Sequence, residues 1–360
     1  MINKRYESLD CLKGVACLAV VFIHYNFPWD LGIIVRTLAK IGVPIFFLIS
    51  GFFFLKDGNL LIHSHIQKKI YHIASIFVKA AFFFALFCVI WNHWRTPDWQ
   101  VFTYVEKVIT YPKIMNFWVT NDPFEYAHLW FLLALIYCYV SMMIFKDYML
   151  FFSSHMKILG IAGLILLIGY NCLQEFHTAL GISCSVHTLG APKNYRIMLF
   201  NLFIFRALPF FLGGVLLRYY ESYIRVWRWL SMKAVFLLFM SGSFLAVVER
   251  FTFIESQFYI GTYVVVFSLF TACIRHPDFK IAYLNYIGRN LSLYVYILHI
   301  AVGKCLDLLA EKNHLWQYAA FKYSKLFLII ILTLILSYII HQGYVSFNKW
   351  HTCKKDVYHV

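Results

Sequence analysis

The chain has 360 residues, 61% of them hydrophobic and only 14% charged, with a formal net charge of +15. Soluble domains carry about 25% charged residues, so one water-soluble core cannot absorb this much apolar surface. The positive balance fits cationic loops at a membrane surface better than nucleic acid, because no soluble basic domain or long basic run is present.

The expected fold class is an all-α polytopic membrane protein, read as a single integral membrane domain over 1–360. A closed β-barrel is disfavoured, since the apolar runs are long and unbroken rather than alternating segments of ~10 residues. The start, through Asp10, has no small-residue cleavage site after its apolar stretch and reads as a short cytoplasmic tail before an uncleaved span. Runs near the length of a bilayer crossing predict a bundle of about ten transmembrane helices, at 11–29, 38–55, 70–92, 127–145, 157–174, 199–218, 232–249, 258–275, 283–303 and 325–346. Basic residues such as Lys4, Arg5, Lys68, Lys69, Arg218, Arg225, Arg275 and Lys280 then fall mostly on one side, which places the N- and C-termini in the cytoplasm.

Polar residues inside the spans carry the functional signal, because each costs free energy there. His24 lies in the first span, eleven residues after Lys13. Eleven residues is about three helical turns, roughly 16 Å, so Asp10, Lys13 and His24 share a stripe with the imidazole deep. The second span holds Pro44, able to kink a helix, and Ser50-Gly51, a small pair that admits a neighbouring helix or a ligand. Lys56, Lys68, Lys69 and His72 form a basic inner loop suited to anionic membrane lipid or to the phosphates of a nucleotide-bearing donor. Two outer segments, 93–126 and 175–198, are long; the first is aromatic-rich and suits interface anchoring or a sugar platform. His128 and Trp130 open the fourth span at the outer interface, the usual place of an anchoring tryptophan.

Arg206 lies in the sixth span, and a guanidinium must face a cavity, an acid or an anionic ligand. Glu249 and Arg250 end the seventh span, with surface placement the plainer reading. Ser292, Tyr296 and His299 recur at helical spacing in the ninth span as a polar stripe. The plainer reading of each histidine is a satisfied packing residue; two of them with Arg206 point to a polar chamber. No metal motif and no glycine-rich phosphate loop occurs. The nine cysteines read mainly as small packing hydrophobes, with Cys172 and Cys184 placed to pair across an outer loop.

Leu9-Asp10-Cys-Leu-Lys13-Gly14 through His24, Val43-Pro-Ile-Phe-Phe-Leu-Ile-Ser50-Gly51, His128-Leu-Trp130-Phe131-Leu and Ser292-Leu-Tyr294-Val-Tyr296-Ile-Leu-His299, in this order, resemble the acyltransferase-3 family of integral membrane acyltransferases. Its members include O-acetyltransferases of enterobacterial common antigen, lipopolysaccharide O-antigen and peptidoglycan. The family's first helix usually has arginine where this chain has Lys13, so a point charge replaces a planar fork. The resemblance implies a multi-pass protein of the bacterial inner membrane with no permanently bound cofactor. Acyl-CoA, acetyl-CoA above all, would be the donor co-substrate, and a hydroxyl of an envelope glycan or lipid-linked sugar the acceptor. His24 would be the general base with Asp10 beside it in the catalytic set. Lys13, Arg206 and Lys69 would bind the donor, and Ser50, Trp130, Glu249, Ser292, Tyr296 and His299 would line the chamber. A mid-membrane polar chamber also suits a small-solute, amino-acid or glycan transporter, and some family-like proteins are assigned to such roles.

Overall fold

The computed structural model describes residues 5–56, 59–60, 63–95, 100–120, 123, 126–145, 203–227, 231–252 and 258–357, with short pieces at 162–163, 165–166, 169, 185–188 and 191–194. Most of the expected span at 157–174 lies outside the described residues, as do the Cys172–Cys184 pairing and most of the 175–198 loop.

The described chain is helical apart from two short antiparallel hairpins, Leu55–Lys56 with Asn59–Leu60 and Ser185–Thr188 with Ala191–Asn194. In chain order the helices are α1 (Glu7–His24), α2 (Trp29–Ala39), α3 (Gly42–Phe52), α4 (His63–Arg95), α5 (Val101–Val108), α6 (Tyr111–Thr120), α7 (Trp130–Ile144), α8 (Phe203–Arg206) and α9 (Leu208–Tyr219). There follow α10 (Glu221–Val226), α11 (Met232–Thr252), α12 (Ile260–Arg275), α13 (Ala282–Tyr286), a π-helical turn (Ile287–Leu291), α14 (Ser292–Lys312) and α15 (Ala319–Val357).

Among the described residues five helices are long and apolar enough to cross a membrane: Trp29–Phe52, Ser64–Arg95, Met232–Thr252, Ala282–Lys312 and Ala319–Asn348. Trp130–Ile144 and Ile260–Arg275 are shorter apolar helices. Their outer faces stay apolar, as Phe82 and Leu86 on α4 or Ile331, Ile335 and Ile339 on α15 illustrate. Exposed apolar surface on this scale marks a surface made for lipid.

The structure differs from the expected spans in three places, two of them set by a proline. The second apolar segment begins at Trp29 rather than 38, and it breaks at Lys40 and Ile41 before α3. Pro44 has no N–H to give the Lys40 carbonyl, so the discontinuity sits one turn before the proline, and Pro44 itself occupies the tolerated first turn. Pro209 repeats the device: the sixth segment breaks at Ala207, between α8 and α9. The outer segment 93–126 is not an open loop, since it contains α5 and α6.

Glycines set how close the helices come. A Cβ on Gly51 would lie 1.9 Å from the Phe211 carbonyl oxygen, and one on Gly214 2.1 Å from that of Leu48. The α3–α9 crossing is therefore backbone against backbone, and Ser50-Gly51 serves a neighbouring helix. The main core gathers Leu12 and Val20 of α1, Phe47 and Phe52 of α3, Phe84 of α4, Leu132 of α7, Phe211 of α9 and Phe270 of α12. A smaller core of Cys17, Val21, Leu291, Val295, Leu326 and Ile329 ties α1 to α14 and α15.

Candidate active site

Helices α1 and α14 run in the same direction, and their contacts form a ladder. At its foot a Cβ on Gly14 would meet the Leu284 carbonyl oxygen at 2.2 Å, and one on Gly288 the Asp10 carbonyl oxygen at 1.9 Å. One rung up, the Cys17 thiol donates to the Ser292 carbonyl oxygen at 3.5 Å. At the top the rings of His24 and His299 stand 5.2 Å apart, and the Tyr25 hydroxyl donates to the Ile300 carbonyl oxygen at 3.2 Å.

The spacing along the two helices explains the match. Cys17 to His24 and Ser292 to His299 are both seven residues, so the upper rungs stay in step. Gly14 to Cys17 is three residues, whereas Gly288 to Ser292 is four. The π-helical turn at Ile287–Leu291 takes up the extra residue. Such turns insert one residue into an α-helix. Without it, His299 would rotate by about 100° and leave His24. The Ser292 hydroxyl closes the turn by donating to the Gly288 carbonyl oxygen at 3.0 Å.

A third imidazole joins them. The His128 ring lies 5.9 Å from that of His299 and 4.6 Å from that of Phe84 on α4. The Tyr296 hydroxyl donates to the His128 carbonyl oxygen, which fixes the turn Ala127–Leu129 against α14. His299 is fully buried, and its Nδ1 is 3.0 Å from the Val295 carbonyl oxygen. A carbonyl only accepts, so Nδ1 carries the proton and the neutral ring presents its Nε2 lone pair to the cluster. The Nε2 atoms of His128 and His299 are both buried without a hydrogen-bond partner among the described residues. Buried polar atoms left unsatisfied are uncommon and accumulate where a substrate or water completes them. His128 was legible only as an interface residue. The signal that finds it is depth: by the expected topology, His24, His128 and His299 all fall near the outer ends of their spans.

The other expected site residues divide between the two ends of the bundle. Asp10 binds Arg5, with Nη2 2.6 Å from Oδ2. It stands about 21 Å of helical rise below His24, so the structure does not bring Asp10 to that imidazole. Lys13 lies at the same low end. Lys69 reaches the Phe53 carbonyl oxygen at 3.4 Å and the Tyr139 hydroxyl at 3.5 Å. Phe53 in turn contacts Tyr6, so Lys69 shares the end of the bundle with the start of α1.

Tyr6 there donates to Glu221, which also holds Arg218 and Arg225. Burial and the Glu221 carboxylate push the Tyr6 phenol above its ordinary value, so it remains a donor. Asn285 donates to Glu7 Oε2 at 2.7 Å, and Arg275 to the Trp227 carbonyl oxygen at 2.6 Å. This end is cationic.

Arg206 belongs to the opposite end. Its guanidinium carbon lies 4.0 Å from the centre of the Trp130 ring. Trp130 stands about 13 Å of rise from Tyr139, the partner of Lys69, so Arg206 does not gather with Lys13 and Lys69. Trp130 is two residues from His128, which puts the cation–π pair at the same end of the bundle as the histidines. Ser50 is spent on its own helix, donating to the Phe46 carbonyl oxygen at 2.8 Å.

Glu249 is buried rather than at the surface. Its two oxygens accept the N–H groups of Ile260 at 3.2 Å and Gly261 at 3.0 Å. A carboxylate on orphan amides at a helix start is a cap, so Glu249 secures α12 instead of lining the chamber. Among the described residues no group of three or more histidine, cysteine or acidic side chains is placed to hold a metal ion.

The fold and site define a multi-pass helical membrane protein with a histidine cluster at one end of its bundle and a cationic cluster at the other. The model of the acyltransferase-3 family, described as an acyltransferase domain, matches residues 6–342, nearly the whole chain, and the chain belongs to that family. No curated protein and no solved structure matches it.

Proposed function

We propose that this membrane acyltransferase moves an acyl group, acetyl in the first instance, from cytoplasmic acyl-CoA to a hydroxyl of an envelope glycan or lipid-linked sugar. The observation that carries the reading is the convergence of His24, His128 and His299 in a chain of this family. A hydroxyl attacks a thioester poorly until a base takes its proton, and a neutral imidazole is the side chain suited to that near neutral pH. His24 takes the acceptor proton as the oxygen attacks the thioester carbonyl. The tetrahedral intermediate then collapses, the carbon–sulfur bond breaks, and the CoA thiolate leaves and is reprotonated through His24. Arg206, held by Trp130 at the histidine end, stabilises the oxyanion in preference to holding the donor phosphates. Lys13 and Lys69 at the far end attract those phosphates, and the acyl arm runs along α1 towards His24.

On this reading the cationic end is cytoplasmic, the histidine end faces outward, and the protein resides in a bacterial inner membrane. Purified protein incubated with labelled acetyl-CoA and envelope glycan tests the proposal. Labelled glycan is the expected product, and His24→Ala should reduce its formation by about 10²–10⁴-fold while inserting normally. Uptake of small solutes by proteoliposomes without any acyl transfer would replace this reading with transport.

A further inference from the structure

Helix α1 ends at His24, so the proposed base stands on the last residue of its helix. His299 lies well inside α14, which continues to Lys312. Terminal turns lack backbone partners and open readily. His24 is also exposed, so packing around its ring does not hold it. A contact beyond α1 must fix its distance from His299. We propose that Tyr25 is the positioning residue that sets the His24 imidazole against His299, seated in a slot between Gly303 of α14 and Lys325 of α15. This role rests on the acyl-transfer reading, in which His24 is the base.

The backbone of Tyr25 begins the argument for it. The residue leaves the helix in extended conformation, with φ −128° and ψ 118°, while its N–H still closes the last turn on the Val21 carbonyl oxygen at 2.9 Å. Its side chain then crosses to α14, where the hydroxyl donates to the Ile300 carbonyl oxygen at 3.2 Å. Tyr25 follows His24 and Ile300 follows His299, so this bond joins the two helices one residue beyond each imidazole. A carbonyl oxygen has two lone pairs and can accept it beside its own helical bond.

The slot is built along one stripe of α14, because Ile300, Gly303 and Asp307 recur at i, i+3 and i+7. A Cβ on Gly303 would lie 2.0 Å from both Cζ and the hydroxyl oxygen of Tyr25, so the ring rests on the helix backbone and only glycine admits it. From α15 the Lys325 ammonium lies 5.3 Å from the centre of the Tyr25 ring and 4.6 Å from that of Trp316. A cation over an aromatic face is attracted to it. Lys325 is itself paired with Asp307, one turn beyond Gly303. Three helices thus converge on the residue next to the base. Misplacing a reacting group by about 1 Å can cost about a hundredfold in rate, so such a seat bears on turnover.

The test separates position from packing. Acyl transfer from labelled acetyl-CoA to envelope glycan is measured for wild type, Tyr25→Phe, Tyr25→Leu, Gly303→Ala, the Tyr25→Leu/Gly303→Ala double variant and Phe27→Leu. Phe27 meets Phe327 of α15 at 5.5 Å, two residues along the same turn, and serves as the packing control. Tyr25→Phe loses only the bond to Ile300 and should lower kcat by about two- to tenfold; Tyr25→Leu should lower it by about ten- to a hundredfold. Both should leave KM for acetyl-CoA nearly unchanged. Gly303→Ala should lower kcat because its methyl group displaces the tyrosine ring. Beside Tyr25→Leu, whose side chain ends short of that contact, it should cost nothing further. Phe27→Leu should lower the melting temperature and spare kcat. Full kcat in Tyr25→Leu, additive losses in the double variant, or an equal loss of kcat in Phe27→Leu would overturn the role.

A second readout needs no activity. Cysteines replace His24 and His299, a short bis-methanethiosulfonate bridges them, and the 24–299 link is quantified by mass spectrometry of the digested protein. The link should form with Tyr25 present and fall several-fold with Tyr25→Leu. If none of the proteins transfers acyl groups, the catalytic reading falls and the link alone decides. A drop then retains Tyr25 as the residue that sets the pair. A yield unchanged by Tyr25→Leu, or no link even with Tyr25 present, removes it.

Discussion

His299 shows how much one hydrogen bond can settle. Its Nδ1 proton is fixed on the Val295 carbonyl oxygen, so its Nε2 can only accept in the neutral ring. On the proposed acyl-transfer reading it positions His24, whose ring lies 5.2 Å away. His299→Asn should lower kcat by about tenfold or more with little change in KM for acyl-CoA, and should displace the pH profile of the rate. Unaltered kcat and profile would show that the ring is only packing. The sign of the profile follows from the base: the rate falls with acid, because a protonated His24 cannot accept the hydroxyl proton. Glu249 gives the opposite expectation. Glu249→Ala leaves the buried amides of Ile260 and Gly261 without their acceptor, costing about 1–3 kcal/mol per donor. Its melting temperature should drop clearly while the turnover of the folded fraction holds. A stable but inactive variant would return Glu249 to the chamber.

Helices α1 and α14 meet as they do because the backbone of α1 touches α13 and the π-helical turn that lead into α14. Gly288→Ala would push a methyl group to 1.9 Å from the Asp10 carbonyl oxygen, and backbone cannot move aside as a side chain does. The helices must part, at a cost of at least about 1–3 kcal/mol, and His24 loses its register with His299. Activity and melting temperature should fall together. Gly343 on α15 is the internal control, since a Cβ there meets nothing within 4 Å. Gly343→Ala should be neutral or raise stability by about 0.5–1 kcal/mol through helix propensity. Equal responses at the two glycines would show that the α1–α14 approach does not hold the fold together.

Across the whole bundle, the polar clusters are laid out along the helix axes. Tyr6, Lys13, Lys69, Arg218 and Arg225 share one end, and His24, His128, Arg206 and Glu249 the other. Helix α4 spans the separation, with Lys69 beside Tyr139 at one end and Phe84 beside Tyr126 and His128 at the other. Cysteines introduced at Ser64 and at Glu106, both exposed, should react from opposite faces of the membrane, with Ser64→Cys labelled from the cytoplasm. The exposed Cys305 is first replaced by serine to clear the background. Labelling of both positions from one face would overturn the outward-facing histidine end.

Apolar run length and the scarcity of charge determined the membrane class, and short motifs in order determined the family, because both are local properties of the chain. His24 and His299 were legible for the same reason, each being a polar residue conspicuous in an apolar helix. Which of these residues meet was settled only by packing. The partnership of His24 with His299 depends on a one-residue π-insertion and on two glycines 274 positions apart in sequence. Asp10 is separated from His24 by the rise of the helix they share, and its partner at that end is Arg5, while Glu249 became a cap because α12 begins beside it. Arg250 lines one cavity with Arg36 and Lys40, more than 200 positions before it, because α2 packs against α11. Such meetings are set by how helices cross, and no local pattern of residues encodes the crossing.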